Sequence, residues 1–114
     1  MKISNTNGNG VVESSEREIV ATHGRSFASI EFALCEDGFI RCSVHFQYSH
    51  GGYGEPIIVD GERYTTKTDA RTAGLEKLLR CWRKPFPSEP QCVHNELRLL
   101  REQIEACLHQ PILL

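Results

Sequence analysis

Residues 26–48 read SFASIEFALCEDGFIRCSVHFQY, and this stretch decides the fold. Apolar and polar side chains alternate on both sides of Glu36-Asp37-Gly38. A period of two places successive side chains on opposite faces of a strand, so each run predicts a strand with one apolar face. The central tripeptide predicts a tight turn, because glycine accepts the positive φ that such turns require. The stretch therefore predicts an antiparallel hairpin whose apolar face needs a cover.

The second half of the chain supplies that cover. Thr66 stands three residues before Asp69, and apolar residues then recur at helical spacing as far as Trp82. This pattern predicts a helix over residues 66–83, ended by the prolines that follow it. Residues 88–114 predict a further C-terminal helix, whose regular pattern stops at Pro111.

The remaining segments have weaker patterns. The Gly/Asn-rich residues 1–12 predict a flexible tail. Glu16–Ala21 follows a capping-box spacing that favours a short helix, although Ile19-Val20 suits an edge strand equally well. Residues 49–56 predict a loop, and a third strand is expected near residues 57–64.

These elements predict an α+β domain with a three-stranded antiparallel sheet. The long helix covers this sheet, residues 13–87 form the α/β core, and the C-terminal helix is added to it.

The composition is that of an ordinary globular protein. The 114 residues have 39% hydrophobic and 25% charged content, and the net charge is −2. This charge argues against a protein that coats nucleic acid or an anionic membrane. No apolar run approaches the roughly 20 residues of a membrane span. Five cysteines without paired spacing suit a reducing compartment, so we expect a cytoplasmic protein without disulfides.

No motif for catalysis, a metal or a cofactor stands out. Cys42 and His45 lie three apart on a predicted strand and face opposite sides, while Cys107 and His109 diverge on a predicted helix. Nucleophile elbows, phosphate-binding loops and HExxH motifs do not occur. We therefore expect no metal, no cofactor and no enzymatic activity.

Two segments are candidates for binding. The glycine-rich segment that contains His50, Tyr53 and Glu55 is either an exposed recognition tip or a plain connection. An apolar seam also repeats along the C-terminal helix at alternating spacings of four and three. It either joins two copies in a homodimer or packs within its own chain. The seam consists of Val93, Leu97, Leu100, Ile104 and Cys107.

The start of the long helix, Thr66-Lys67-Thr68-Asp69-Ala70-Arg71 with Leu78-Leu79 further on, resembles the signature of the double-stranded-RNA-binding domain. The expected order helix–strand–strand–strand–helix is also similar to that family's. The resemblance implies that Lys67 and Arg71 meet RNA phosphates. The cluster Arg80, Arg83 and Lys84 would add positive charge to this alternative function.

In size, slight acidity and lack of catalytic motifs, the chain resembles the small proteins that phages and mobile elements encode against host defences, anti-CRISPR proteins among them. That resemblance is one of type. It implies tight binding to a protein, with acidic groups standing in for nucleic-acid phosphates. Glu31, Glu36 and Asp37 would belong to such an acidic face. We therefore expect a non-catalytic protein-binding module that inhibits a nucleic-acid-processing complex, with a small nucleic-acid-binding domain as the alternative.

Overall fold

The computed structural model describes residues 1–13 and 15–109. It contains one antiparallel sheet with strand order β1-β2-β3-β4 and two helices, so the α+β class is confirmed, with four strands in place of three. The strands and helices are β1 (Glu16–His23), β2 (Ser26–Leu34), β3 (Ile40–Tyr48), β4 (Gly51–Gly54), α1 (Lys67–Arg80) and α2 (Gln91–His109).

The predicted hairpin is present as β2 and β3. Its ladder runs from Phe27 opposite Gln47 to Leu34 opposite Ile40. Gly38 has a φ of 85°, in the left-handed region that its turn was predicted to need.

The segment before the hairpin is a strand, so the edge-strand alternative is confirmed and the favoured helix is wrong. Glu16 pairs with Phe32, and the ladder continues to His23 opposite Ser26, with an irregularity between Ile19 and Ala21. The capping-box spacing is a local signal only. Pairing with β2 satisfies the same backbone groups along the whole segment, and this tertiary pairing decides the structure.

The predicted loop contains a strand, and the segment predicted as the third strand does not form one. The glycine-rich segment forms β4, which pairs with β3 through a two-residue turn at Ser49-His50. Glycine permits this pairing, because a Cβ on Gly52 would lie 2.7 Å from the Phe46 carbonyl oxygen. Residues 57–64 form only isolated pairs, including Tyr64 with Ile40.

The N-terminal residues, expected as a flexible tail, are hydrogen-bonded to the rest of the domain. The Ser4 amide donates to the Leu34 carbonyl at 2.8 Å, and the Val12 amide donates to that of Ile57 at 2.9 Å. The N-terminal chain thus contacts both the end of β2 and the segment that follows β4.

Helix α1 is confirmed and lies close against the sheet. Its N-cap is Thr66, whose side-chain oxygen accepts a hydrogen bond from the Asp69 amide at 3.1 Å. A Cβ on Gly74 would lie 3.0 Å from two side-chain carbons of Ile30, so glycine allows the helix its close approach.

Helix α2 shares the core with α1 and the sheet, which favours the alternative in which the seam packs within its own chain. Val93, Leu97, Leu100 and Ile104 are all at most 1% exposed within the chain. Cys107 is half-buried, with its sulfur 3.5 Å from the Val20 carbonyl oxygen. A four-stranded sheet provides room for two helices, so these side chains have no exposed patch to offer a second copy. The predicted end of the helix at Pro111 lies outside the described residues.

Neither described helix is long and apolar enough to cross a membrane.

Candidate functional site

The first edge of the sheet, on β1, is covered by α2. The Gln103 side-chain amide donates to the Thr22 carbonyl at 2.8 Å and accepts from the Thr22 amide at 3.0 Å. It thereby takes the place that a neighbouring strand would fill. The Cys107 contact and the irregularity in the ladder add to this protection, both of which are common ways to close a sheet edge.

The other edge, on β4, is open. In an antiparallel ladder, alternate residues direct their N–H and C=O groups towards the neighbouring strand. Because Tyr48 and Gly51 pair across the turn, the N–H and C=O groups of Gly52 and Gly54 point away from β3. Among the described residues, no backbone or side-chain group hydrogen-bonds to them from outside the ladder. All four residues of β4 are exposed.

Two depressions border β4. One, of about 410 Å³, lies at its start beside the turn from β3. The other, of about 620 Å³, lies beyond its end, between β3, residues 55–64 and α1. Past Gly54 the chain leaves β3, and the next backbone pair on that side joins Ile40 to Tyr64. The edge of β3 between these two pairs is therefore also free of a backbone partner among the described residues.

The side chains around β4 are held in place by α1. The Tyr53 ring stacks on Phe46 at 5.8 Å between centroids, and its hydroxyl donates to Glu55 at 2.9 Å. Lys77 donates to the same carboxylate at 2.5 Å. Burial acts to raise the pKa of Glu55, but the hydrogen bonds from Lys77 and Tyr53 outweigh it and lower this pKa. The carboxylate is therefore ionised at neutral pH and fixes β4 to the helix.

The predicted recognition tip is consequently divided. Tyr53 and Glu55 lie together over α1, whereas His50 turns towards Glu89, with 3.6 Å between its Nδ1 and the carboxylate. Tyr53 keeps 38% of its surface exposed, the most prominent apolar group at the open edge.

The predicted acidic face is held mostly by the chain's own groups. Asp37 accepts two hydrogen bonds from Arg41 at 3.0 and 2.9 Å, and these contacts lower the pKa of Asp37 to about 2. Glu31 lies 3.2 Å from the Ser15 hydroxyl and 3.6 Å from the His45 ring. Only Glu36 is exposed without a contact of this kind among the described residues.

The residues of the nucleic-acid alternative are also partly paired. Lys67 contacts Glu16 at 3.0 Å, and Arg71 contacts Glu18 at 2.9 Å. No helix precedes β1 among the described residues, so the order of elements differs from that of the double-stranded-RNA-binding domain.

The cluster at the end of α1 separates in the structure. The Arg83 guanidinium contacts Glu89 at 2.8 Å and lies over the rings of Tyr48 and Phe86. Arg80 lines the larger depression beside β4, while Lys84 lines a separate cleft against α2. The residues of the nucleic-acid alternative thus do not form one continuous cationic surface. These residues are Lys67, Arg71, Arg80, Arg83 and Lys84.

The architecture is that of an α+β module with both helices on one face of the sheet, one closed edge and one open edge. Comparison with protein-family models, with curated proteins and with solved structures finds no match.

The closed edge leads to a first prediction. Replacing Gln103 with alanine should remove both hydrogen bonds to Thr22, cost about 1–2 kcal/mol of stability and speed exchange of the Thr22 amide. Hydrogen exchange followed by NMR measures this. Gln91→Ala is the matched control, because among the described residues the Gln91 side chain hydrogen-bonds only to that of the exposed Asn95. Unchanged exchange at Thr22 would mean that Gln103 does not close this edge.

Proposed function

We propose that this protein is a non-catalytic protein-binding module that accepts an extended segment of its partner along the open edge of β4. The observation that supports this proposal most directly is the difference between the two edges. The fold uses a glutamine side chain to occupy the free backbone groups of Thr22 on β1, and among the described residues it leaves those of Gly52 and Gly54 without such a partner. Unpaired edge groups of this kind are a template for another strand.

Strand addition explains how the surroundings of β4 would contribute. Backbone hydrogen bonds to Gly52 and Gly54 would position the incoming segment, and the absence of side chains there permits a close approach. Alternate side chains of the segment would then reach Tyr53 and the two depressions. Because β4 is short, specificity would come from those side chains more than from the backbone.

The geometry at His45 and the raised pKa of Cys42 both argue for a non-catalytic role. The Nε2 of His45 lies 3.3 Å from the Ser43 hydroxyl and 3.6 Å from the Glu31 carboxylate. A catalytic triad needs the carboxylate on the other ring nitrogen, so this set lacks the required geometry. In the larger depression, burial raises the pKa of the Cys42 thiol to about 11, which keeps it protonated and a poor nucleophile at neutral pH.

The ion pairs of Lys67, Arg71 and Arg83 favour a protein partner over nucleic acid. Each of these cations already contacts a glutamate of the same chain. Phosphates would have to displace those carboxylates, and at Arg71 and Arg83, whose ion pairs are the more buried ones, this reduces the gain in binding energy. Inhibition of a nucleic-acid-processing complex, as the resemblance to anti-CRISPR proteins implies, remains our proposal for the class of partner.

A photo-crosslinking amino acid tests the binding edge. We expect one protein of the host extract to crosslink when the probe is at position 53, and not when it is at position 36 in the β2–β3 turn. In the purified complex, the amides of Gly52 and Gly54 should exchange with solvent at about one tenth of their rate in the free protein, or more slowly still. The Tyr53 amide, which already faces β3, should change little.

Two outcomes would overturn the proposal. Crosslinking at position 36 with unprotected glycine amides would place the partner on the acidic turn. Micromolar binding of duplex nucleic acid at about 0.15 M salt, with no protein crosslinked at position 53, would favour the nucleic-acid alternative.

A further inference from the structure

A cleft separate from β4 lies where the segment after α1 passes the first half of α2. It encloses about 350 Å³, and we call it the cationic cleft. Four Lys and Arg side chains line it, together with His94, and no Asp or Glu is among its lining residues. The four are Arg83, Lys84, Arg98 and Arg101. In a chain with a net charge of −2, this lining brings four positive side chains together, three of which are paired with glutamates outside the lining.

The basic residues on this side of α2 form a row. His94, Arg98 and Arg101 are spaced by four and three residues and therefore lie on one face of the helix. At 1.5 Å per residue the row is about 10 Å long. Lys84, from the segment after α1, lines the same cleft, so cations from two segments of the chain border it.

The row is available to a ligand. Arg98 contacts Glu102 at 3.1 Å and Arg101 contacts Glu105 at 2.9 Å, both one helical turn away. All four of these side chains are between 44% and 58% exposed. Exposed pairs at this spacing contribute little, so the arginines can exchange their partners readily. Arg83 differs, because its contacts with Glu89 and two aromatic rings fix it as part of the wall.

Apolar residues also line the cleft. Trp82 is one of them, and its indole N–H donates to the Leu97 carbonyl at 3.1 Å. Pro85 and Leu97 complete the apolar part of the lining. A ligand that fits must therefore combine negative charge with some apolar surface, and must be short.

We propose that the cationic cleft is a docking site for a short acidic segment of a protein, whose carboxylates contact Lys84, Arg98 and Arg101. Charge complementarity carries the choice of a negatively charged occupant. The rim carries Glu89, Glu102 and Glu105, the partners of the lining arginines, and these would repel a polyanionic backbone that continues beyond the cleft. A segment with two or three carboxylates ends before it meets them. This inference does not depend on the open edge of β4.

Trp82 provides the measurement, since it is the chain's only tryptophan. Titration of the full chain with an N-acetylated triglutamate amide, which carries three carboxylates, should change its fluorescence saturably, and added salt should weaken the binding. The triglutamine amide of the same length should give no saturable change. Arg98→Gln combined with Arg101→Gln should weaken binding about tenfold or more, and Lys84→Gln should weaken it as well. Arg25→Gln, an exposed arginine in the β1–β2 turn, is the matched control and should bind as the wild type does.

Each alternative result would overturn the proposal. Equal binding of the triglutamine amide, or no saturable change with the triglutamate amide, removes the acidic segment as the occupant. An equal loss in Arg25→Gln makes the interaction one of overall charge. Displacement of the peptide by inorganic phosphate at constant ionic strength indicates a general anion site. A single-stranded oligonucleotide that binds more tightly than the peptide, with the same dependence on Arg98 and Arg101, identifies nucleic acid as the occupant.

Discussion

Replacing Phe46 with alanine is expected to lower the free energy of unfolding by about 3–5 kcal/mol, because it removes a large side chain from the core and leaves a cavity. Phe46 is 6% exposed and lies on the helix-facing side of β3. Its ring centroid is 4.9 Å from that of Trp82 and 5.8 Å from that of Tyr53. The substitution therefore weakens the packing in two places. One is between the sheet and the segment after α1, and the other is between β3 and β4.

Phe86→Ala is the matched control for this effect. It deletes the same atoms at a side chain that is 61% exposed, where the loss should stay below about 1 kcal/mol. Urea unfolding of the two variants and the wild type measures the difference. Amide exchange at Tyr53 should also rise in Phe46→Ala. A Phe46→Ala variant as stable as Phe86→Ala would contradict the packing of β3 against the helices.

Long periodic stretches of the sequence predicted most of the fold. The alternation in residues 26–48 identifies two strands, and the turn glycine between them allows only a short connection. The seam of α2 repeats with the period of a helix, and this predicts an apolar face. The period does not indicate which surface packs against that apolar face. The answer depends on the width of the sheet, and hence on β4.

For physical reasons, the sequence left β1 as an alternative to a short helix and predicted a loop in place of β4. The segment at Glu16 carries a helix-type cap signal, and only its pairing with β2 makes it a strand. The four residues of β4 include three glycines, a composition typical of loops. Their close approach to β3 is a property of two backbones together. A partial signal is Tyr53, because an aromatic residue between glycines suits a strand that stacks on Phe46.

The candidate sites were predictable only in part. Tyr53, Glu55, Arg83 and Lys84 were identified from the sequence, but the surfaces to which they contribute depend on residues distant in the chain. Arg98 and Arg101 follow a polar face of α2 that any solvated helix would show. They form the cationic cleft only because the segment after α1 folds back beside them.

Glu96 shows how a charged residue of the sequence can belong to the interior. A polar position on α2 predicts an exposed side chain, yet Glu96 is 6% exposed. Its carboxylate accepts hydrogen bonds from the Ser26 hydroxyl, from the Ser49 amide at 2.9 Å and from the Ser49 hydroxyl at 2.6 Å. It thus connects α2 to the start of β2 and to the turn between β3 and β4. Burial acts to raise the pKa of Glu96, but these hydrogen bonds together outweigh it and hold the pKa below the usual value of 4.5.

Glu96→Ala should lower the free energy of unfolding at neutral pH by about 2–4 kcal/mol, because it leaves hydroxyl and amide donors without their acceptor. Glu96→Gln keeps one acceptor oxygen and should lose about half as much, while the exposed Glu102→Ala should lose only a few tenths. A folded-state pKa below the unfolded one contributes stability that is complete above the unfolded value and is lost as the pH falls through the folded value. The gap between wild type and Glu96→Ala should therefore narrow as the pH falls below 4.5. Thermal unfolding from pH 7 to pH 3 measures this gap. A gap that stays constant over this range would mean that the carboxylate charge is not what the serines stabilise.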